Sequence, residues 1–431
     1  MNILIKNIDE IYTGVTDKNL AKNCNIVIKN NSIYNITPSL SSIKEKNYDY
    51  IIDGKGKIAL PGFINTHTHA GMTLLRGYAD DLPLHNWLQN KIWPFEANLS
   101  KEEIYWGSKL AILEMLSTGT TTFTDMYFQM DIVAKAVEET GMRAVLTEGL
   151  IEKNDGIDGL KSSLNFCNKW RGQANGRITT MLAPHAPYTC SKKYLEQIIK
   201  LSEEHGLAIN IHVAETKKEY EDSLKRNDLS PISYLDSFGF FERPVLAAHC
   251  VYLSAEDIKI LLEKNVGVAY NPASNMKLSS GIANIVEMIN SGVNVAFGTD
   301  SVASNNNLDL IEEARMGSYL QKVNSHNPTV LNIDDLFKML TYNGAKALGL
   351  KKVGKIQKDF LADIVLVDTK NHTHFYPHHN NLSNLFYSGS GRDVNTVIIN
   401  GKIVYDNNEF LTIDKEEVYY EVEKIIKKKA T

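Results

Sequence analysis

Histidine and aspartate side chains close several apolar segments of this sequence, in types and spacings that suit metal binding. His67 and His69 stand two residues apart in FINTHTH, and side chains at positions i and i+2 of a β-strand point to the same side. His212 closes INIH, and Asp300 closes VAFGTD. Histidines gathered at one place without a cation would be mutually repulsive or unsatisfied. We therefore predict that His67, His69, His212 and Asp300 bind one divalent metal ion.

The chemistry of this ligand set indicates the ion and the reaction. Imidazole and carboxylate ligands without a thiolate favour Zn²⁺, and Fe²⁺ suits the same ligands. Such an ion lowers the pKa of a bound water from about 15.7 toward ~7, which makes a nucleophile at neutral pH without an organic cofactor. The residues therefore predict a hydrolase.

Hydrolysis also needs groups that move protons, and three residues near the predicted ligands are candidates. Glu215 follows His212 by three residues in HVAE, so it lies close to the ion and off the metal-facing position, as a proton shuttle must. Asp300 is suited both to bind the ion and to accept a proton from water. His249 closes VLAAH, where it could hydrogen-bond the nucleophilic oxygen or polarise the reacting centre.

The segments that carry these residues alternate with amphipathic stretches of helical length. This alternation is typical of βα units and a parallel sheet, and eight strands imply a (β/α)₈ TIM-type barrel, here over residues 59–350. In such barrels the active site lies at the carboxyl ends of the strands. The predicted strands are 58–69, 120–126, 143–150, 178–188, 207–215, 244–250, 266–274 and 293–301.

Both ends of the chain have a different character from the middle. Residues 1–58 read as short strands with tight turns, and residues 351–431 contain similar strands followed by a helix. Asn400-Gly401 between two alternating apolar segments is a strong hairpin signal. We predict an α/β fold in which both chain ends form one small, discontinuous, β-sandwich-like domain beside the barrel.

Composition excludes several classes of protein. Among 431 residues, 46 are Lys or Arg and 51 are Asp or Glu, a formal net charge of −5 that lacks the basic field of nucleic-acid binders. Apolar runs long enough for a membrane span or a signal peptide are absent from the sequence, so we expect a cytoplasmic protein. The four cysteines are far apart and predict neither disulfides nor a cysteine zinc site.

Motifs along nearly the whole chain resemble those of a known family. The chain resembles the metal-dependent amidohydrolases and, among them, the deaminases of 5′-methylthioadenosine and S-adenosylhomocysteine. The motif HxH alone marks the superfamily, and the combination is more specific. The segments that carry the resemblance are PGFINTHTHAGMTLLRGYADDLPLHNWL (61–88), IWPFE (92–96), HAPYTC (185–190), HVAETKKE (212–219), AAHC (247–250), NPASNMKLSSG (271–281) and GTDSVASNNNLDL (298–310).

The resemblance implies a reaction and the residues that serve it. The reaction is hydrolytic deamination at C6 of an adenine ring, which gives the inosine analogue and ammonia, with Glu215 protonating the purine ring. The same four metal ligands are implied, and Glu215 and Asp300 also contact the substrate. Glu96 and His185 are implied as further substrate contacts: Glu96 could accept hydrogen bonds from both ribose hydroxyls, and His185 could bond a sugar oxygen or a ring nitrogen.

One region departs from the pattern of some relatives. Those relatives carry an arginine at the position of Glu148 and further arginines in the following loop, which here is residues 151–161. Only 8 of the 46 basic residues of this chain are Arg. If those arginines bind the amino-acid carboxylate of S-adenosylhomocysteine, this chain lacks a clamp that Lys cannot reproduce. Methylthioadenosine, 5′-deoxyadenosine or adenosine would then be better substrates.

Two alternatives from other classes remain at this stage. Another amidohydrolase, acting on guanine, a triazine or a cyclic amide, would keep the metal and the barrel and need no ribose contacts. A non-catalytic metal-binding barrel would keep the ligands without turnover. The expected partner is a small-molecule nucleoside, with no nucleic acid and no membrane, and a homo-oligomer is compatible with this architecture.

Overall fold

The computed structural model describes residues 1–14, 20–39, 45–82 and 84–429. Two separate sheets organise them. One is a nine-stranded, mixed sheet from the two ends of the chain, and the other is an eight-stranded parallel barrel from the middle. The prediction of a TIM-type barrel with a small β unit from both chain ends is confirmed, whereas the predicted domain boundaries stay a prediction.

Eight strands of the small sheet follow one another across it, and the ninth pairs beside the first strand of the chain. The two chain ends meet where Leu60 faces Val365 in an antiparallel pair. The predicted hairpin at Asn400-Gly401 is present, and both residues have positive φ (52° and 72°), as a tight two-residue turn requires. In spatial order the strands are Glu409–Phe410, Lys402–Asp406, Val394–Ile399, Ile364–Asp368, Lys57–Pro61, Asn2–Tyr12, Leu20–Lys29 and Ser32–Thr37, with Tyr50–Asp53 beside Asn2–Tyr12.

The barrel contains all eight predicted strands, paired in parallel in chain order. The ring is drawn together between its first and last strands, because the Thr66 hydroxyl donates to the Phe297 carbonyl (2.8 Å) and the Asp300 amide donates to the His67 carbonyl (2.9 Å). The strands are Phe63–Thr68, Thr120–Tyr127, Arg143–Leu150, Ile178–Pro184, Ala208–Val213, Val245–His249, Gly267–Tyr270 and Asn294–Phe297.

The first predicted barrel strand, 58–69, is two strands that belong to different sheets. Lys57–Pro61 pairs in the small sheet, and Phe63–Thr68 begins the barrel. Gly62 lies between them, and a Cβ there would lie 2.1 Å from the Thr121 hydroxyl, so only glycine fits this crossing. The apolar run continues across the crossing because both sheets are buried there.

Helices surround the barrel and begin with polar caps. Ser100 and Glu103 form a reciprocal capping box at the start of Lys101–Ser117. The helices are Leu84–Trp87, Trp93–Glu96, Lys101–Ser117, Met130–Thr140, Glu152–Trp170, Gln173–Gly176, Lys192–His205, Lys217–Asn227, Pro231–Asp236, Ala255–Glu263, Pro272–Lys277, Ile285–Ser291, Val302–Asn305, Leu310–Asn324, Ile333–Leu340, Tyr342–Ala347, Asn381–Tyr387 and Lys415–Lys429.

Buried contacts close the far end of the barrel and join it to the small sheet. An apolar cluster that includes Ile64, Val145 and Leu246 fills the amino-terminal end of the barrel, so the carboxyl ends of the strands form the open mouth. The Arg143 guanidinium donates to both carboxylate oxygens of Asp363 (2.7 and 3.1 Å), which joins a barrel strand to the start of the interior strand Ile364–Asp368 of the small sheet. Within the described residues, no helix is both long and apolar enough to cross a membrane.

Candidate metal centre and active site

Four strands deliver the predicted metal and proton-transfer residues to the mouth of the barrel. His67 lies in the first strand and His69 just after it, while His212, His249 and Asp300 lie at or just after the ends of three later strands. His249 and Asp300 have positive φ (76° and 59°), an uncommon conformation for residues other than glycine. Such backbone strain clusters at functional sites, and here it turns these two side chains where their strands end.

The imidazole rings gather around one point. The ring centroid of His67 lies 4.9 Å from that of His69, 4.8 Å from that of His212 and 5.4 Å from that of His249. Two overlapping groups have ligand atoms within 4.8 Å of one another: His67 with His69 and His212, and His67 with His249 and Asp300. The structure thus brings together all four predicted ligands and His249.

The hydrogen bonds of the histidine rings leave one nitrogen of each ring free to bind a metal ion. Nδ1 of His69 lies 2.5 Å from the Met126 carbonyl oxygen, and Nδ1 of His212 lies 2.8 Å from the His185 carbonyl oxygen. A nitrogen that donates to a carbonyl carries the proton, so the Nε2 lone pair of each ring is available for a cation. Neither nitrogen of the fully buried His67 ring has a hydrogen-bond partner among the described residues. A cation would give a buried nitrogen of this ring the partner that it lacks.

Electrostatics at the centre also fit a divalent cation. Burial and neighbouring rings lower the pKa of His67 and of His212 well below the ordinary value, so both rings are neutral, as metal-binding imidazoles must be. Burial alone would lower the pKa of His69, but the hydrogen bond and charge of Asp300 outweigh it and raise this pKa to about 9. The Asp300 carboxylate thus favours positive charge at this point, which a bound cation would supply.

Neighbouring polar side chains hold Asp300 and His249. Asp300 Oδ2 accepts hydrogen bonds from the hydroxyls of Ser274 (2.6 Å) and Ser304 (3.1 Å), while Oδ1 lies 3.2 Å from His69 Nε2. His249 Nδ1 lies 3.0 Å from the Asn275 amide nitrogen, with a second asparagine amide at 3.3 Å. With these amides donating, Nδ1 accepts and the proton of the ring lies on Nε2. His249 then presents a donor to the centre.

Glu215 lies just beyond the strand that carries His212, and two groups fix its position. The Ser280 hydroxyl donates to Glu215 Oε1 (2.9 Å), which orients the carboxyl group. The carboxylate of Glu219 accepts from the backbone amides of Ala214 and Glu215, both at 2.9 Å. These bonds hold a turn in which Ala214 has a φ of 55°. Ser280 and Glu219 are therefore positioning residues for Glu215.

Sequence reasoning missed Glu219, although a signal for it existed. Thr216 and Glu219 have the T-x-x-E spacing of a capping box, and the Thr216 hydroxyl accepts from the Glu219 amide (3.1 Å) at the start of the helix Lys217–Asn227. The Glu219 carboxylate reaches back to the amides of the turn. Burial raises the pKa of Glu219 to about 7, while these backbone amides favour its ionised form.

Replacing Glu219 with Gln is expected to lower turnover about tenfold with little change in KM. The amide has one acceptor oxygen in place of two, so one backbone amide of the turn loses its partner and Glu215 loses its fixed position. A hydrogen bond to a charged group contributes about 1.5–3 kcal/mol, which sets this magnitude. Steady-state kinetics and metal analysis of the variant check it.

Glu221→Gln is the matched control, because Glu221 lies on the same helix and pairs with exposed Lys217. It should behave as wild type. Wild-type turnover in Glu219→Gln, or a fall that follows loss of metal, would contradict a positioning role.

Both predicted substrate contacts lie at the same mouth. Glu96 ends the short helix Trp93–Glu96, where burial raises its pKa to about 7 while the nearby Tyr127 hydroxyl and the charge of His69 oppose this rise. The ring of His185 lies 4.9 Å from that of His212, and its Nδ1 lies 3.1 Å from the Thr189 hydroxyl. Burial lowers the pKa of His185 to about 4, so this ring is neutral.

Glu148 and the segment after it differ from the sequence expectation. Residues 152–161 are helical rather than a loop and belong to Glu152–Trp170, which is kinked at Gly156 (φ 52°). The Asp155 carboxylate accepts from the Ile151 amide (2.6 Å) across the turn before this kink. Glu148 shares the outer, helix-facing side of its strand with Leu146 and lies near Ser162 of this helix. Burial nevertheless raises its pKa.

Comparison with known proteins identifies the family. The model of the amidohydrolase family matches residues 58–404. The chain belongs to this family. A protein of Halothermothrix orenii named 5-methylthioadenosine/S-adenosylhomocysteine deaminase is 56% identical over 430 residues, with 100% of both chains covered. A protein of the same name from Thermoanaerobacter pseudethanolicus is 48% identical over 428 residues, with 98% of both covered.

A solved structure of the family supports the same assignment. An adenosine deaminase from Xanthomonas campestris with bound zinc has a TM-score of 0.93 and 30% identity to this chain, and covers 99% of this chain and 98% of its own. The resemblance stated from the sequence motifs is therefore confirmed. This amidohydrolase is a metal-dependent hydrolase, and the groups of histidine and aspartate at the barrel mouth are its metal-site candidates.

Proposed function

We propose that this amidohydrolase deaminates the adenine ring of 5′-substituted adenosines, such as 5′-methylthioadenosine, S-adenosylhomocysteine, 5′-deoxyadenosine and adenosine. Water adds at C6 and ammonia leaves, which gives the inosine analogue. The names of the relatives at 48–56% identity and of the solved adenosine deaminase support this activity.

The placement of Glu96 carries the proposal. Hydrolysis of a free base needs only the metal centre and a proton shuttle, whereas a nucleoside also presents a ribose diol. Glu96 places a carboxylate beside His69 at the barrel mouth, where it is half-buried and lies near Tyr127. An ionised carboxylate accepts hydrogen bonds on both oxygens, so it suits two adjacent hydroxyls.

His67, His69, His212 and Asp300 would hold the metal ion, and we propose Zn²⁺. Imidazole and carboxylate ligands suit zinc, and the solved relative contains it. Fe²⁺ suits the same ligands, so metal analysis of the purified protein decides between them. When bound, the ion supplies a water of lowered pKa and a positive charge next to the reacting carbon.

The side chains of the mouth would divide the proton transfers among them. Asp300 would accept a proton from the attacking water, since the neighbouring histidines hold its pKa well below the ordinary value, and would pass this proton to the amino group so that it leaves as ammonia. Glu215 would donate a proton to the ring nitrogen next to C6, with Ser280 fixing its orientation, and would take up the proton of the added hydroxyl as the carbonyl of the product forms. His249 would donate a hydrogen bond from Nε2 to the attacking oxygen. His185, neutral and next to His212, would bond a sugar oxygen or a ring nitrogen.

Glu96→Ala separates this function from deamination of a free base. We expect kcat/KM for methylthioadenosine to fall about 10²-fold, because two charge-assisted hydrogen bonds to the ribose are lost. Glu102→Ala, an exposed residue on the neighbouring helix, is the control and should not change the rate. An unchanged rate in Glu96→Ala would favour a guanine or triazine hydrolase of the same family.

A panel of adenosines with different 5′-substituents tests how the absence of these arginines affects substrate preference. The resemblance implies an arginine at the position of Glu148 in some relatives, whereas this chain has a carboxylate there that faces the helix Glu152–Trp170 and offers no cation to the amino-acid end of S-adenosylhomocysteine. We expect kcat/KM to be about tenfold or more higher for methylthioadenosine or 5′-deoxyadenosine than for S-adenosylhomocysteine, because a charged hydrogen bond is absent. A preference for S-adenosylhomocysteine would contradict this expectation.

A further inference from the structure

A second group of side chains suited to metal binding lies away from the barrel mouth, at the ends of two interior strands of the small sheet. His372 and His374 follow the strand Ile364–Asp368, and Asp393 directly precedes the strand Val394–Ile399. These two strands pair antiparallel, with Val367 facing Val394. The sheet thus fixes both ends of the connecting segment and brings the two histidines to the aspartate.

The geometry of this group is that of an open three-ligand site. His374 Nε2 lies 2.9 Å from Asp393 Oδ2, and His372 Nδ1 lies 3.6 Å from Asp393 Oδ1. One ligand atom from each residue falls within 4.8 Å of the others, and the two rings stack with centroids 5.5 Å apart. Ligands bonded to one zinc ion at about 2.0–2.2 Å lie at comparable separations from one another.

In this group the aspartate is buried and held by hydrogen bonds, while the two histidines are partly exposed to solvent. The Asp393 side chain is 3% exposed, and its Oδ2 also accepts from the Ser390 amide (2.8 Å), which holds the carboxylate in place. Buried Phe375 follows His374 and anchors the turn, because its carbonyl accepts from the Asn384 side chain (2.7 Å). The side chains of His372 and His374 are 37% and 38% exposed, so an ion and its water ligands have a path to the site.

A hydrogen bond to Asp393 accounts for the position of His374 but does not account for that of His372. Its Nδ1 faces the carboxylate at 3.6 Å, which is too long for a hydrogen bond, while His374 already occupies the other oxygen. Two imidazoles and one carboxylate that converge on the same space form a preorganised cation site.

We propose that His372, His374 and Asp393 bind a second divalent transition-metal ion, of which Zn²⁺ is the representative, with water completing its coordination. This ion would hold the segment between the two strands against the strand ends of the small sheet. The same segment contacts the barrel, because Arg315 of the helix Leu310–Asn324 donates to the carbonyls of Phe386 (2.8 Å) and Gly389. The site is therefore structural, and it is separate from the ligands at the barrel mouth.

Zinc titration of the holoenzyme tests this site. Protein with its barrel metal loaded is dialysed and titrated with ZnCl₂ by calorimetry, and bound metal is counted by mass spectrometry. We expect wild type to bind one further equivalent and to gain thermal stability with it. His372→Asn and His374→Gln should each lose this equivalent or bind it at least tenfold more weakly, and both should keep the barrel metal and normal turnover.

His378 and His379 provide matched controls, since both are exposed in the same segment and lie outside the ligand group. His378→Asn and His379→Asn should bind the second equivalent as wild type does. Three outcomes would overturn the proposal: no second equivalent in wild type, a second equivalent retained in both His372→Asn and His374→Gln, or equal losses in the control variants. Turnover of each variant shows that it is folded.

Discussion

Glu215→Gln is expected to lower turnover of methylthioadenosine by ~10²–10⁴-fold while the protein keeps its metal ion. Glutamine has nearly the same shape and can still accept the hydrogen bond from Ser280, but it cannot give a proton to the purine ring. Binding of metal and nucleoside should therefore survive while the chemical step fails. Metal analysis together with kcat and KM measures both parts of this expectation.

The neighbouring residue Ser280 supplies the control for this variant. Ser280→Ala removes one orienting hydrogen bond and leaves the carboxyl group of Glu215 in place, so we expect a loss of about tenfold. Turnover of Glu215→Gln equal to wild type would remove Glu215 from the mechanism and support a barrel that binds metal without catalysis. A loss of metal from Glu215→Gln would instead make this residue part of the metal site.

Asp300→Asn is expected to lower turnover by ~10²-fold or more and to reduce the bound metal as well. Asparagine keeps the size of the side chain and can still accept from Ser274, but it has no negative charge. The centre then loses both a ligand and the acceptor for the proton of water. Measurement of bound metal against turnover, with added zinc, separates the two losses: restored metal content should not restore the rate.

Asp309→Asn is a suitable control, because Asp309 is also a buried aspartate and caps the helix Leu310–Asn324 through the Ile311 amide (2.9 Å). That variant should lower stability and leave metal content and turnover unchanged. Full turnover in metal-loaded Asp300→Asn would contradict the role of Asp300 as proton acceptor.

Much of the fold follows from local patterns of the sequence. Short apolar strands that alternate with amphipathic helices predict the parallel barrel, because the strand and the helix of each βα unit have recognisable patterns of hydrophobic residues. The first strand shows the limit of this reasoning. Lys57–Pro61 and Phe63–Thr68 form one apolar run, and hydrophobicity does not tell which sheet each half joins. The positions of the domain boundaries and the oligomeric state stay predictions.

The candidate site divides in a similar way. His67, His69, His212, His249 and Asp300 were predicted because strand ends meet at one edge of a barrel, and the structure places them together. Residues that act by binding backbone amides are harder to predict from the sequence. Glu219 binds two amides of a turn that exists only because Ala214 adopts a positive φ, and neither alternation nor spacing encodes that conformation.

The most direct test of the proposed function is ammonia release from methylthioadenosine by purified protein of known metal content. We expect one equivalent each of ammonia and of the inosine analogue for every nucleoside consumed, with the rate proportional to the metal bound at the barrel mouth. Guanine and triazines, assayed in parallel, should release no ammonia. Ammonia from guanine or a triazine with none from any 5′-substituted adenosine, or no turnover by fully metal-loaded protein, would contradict the account.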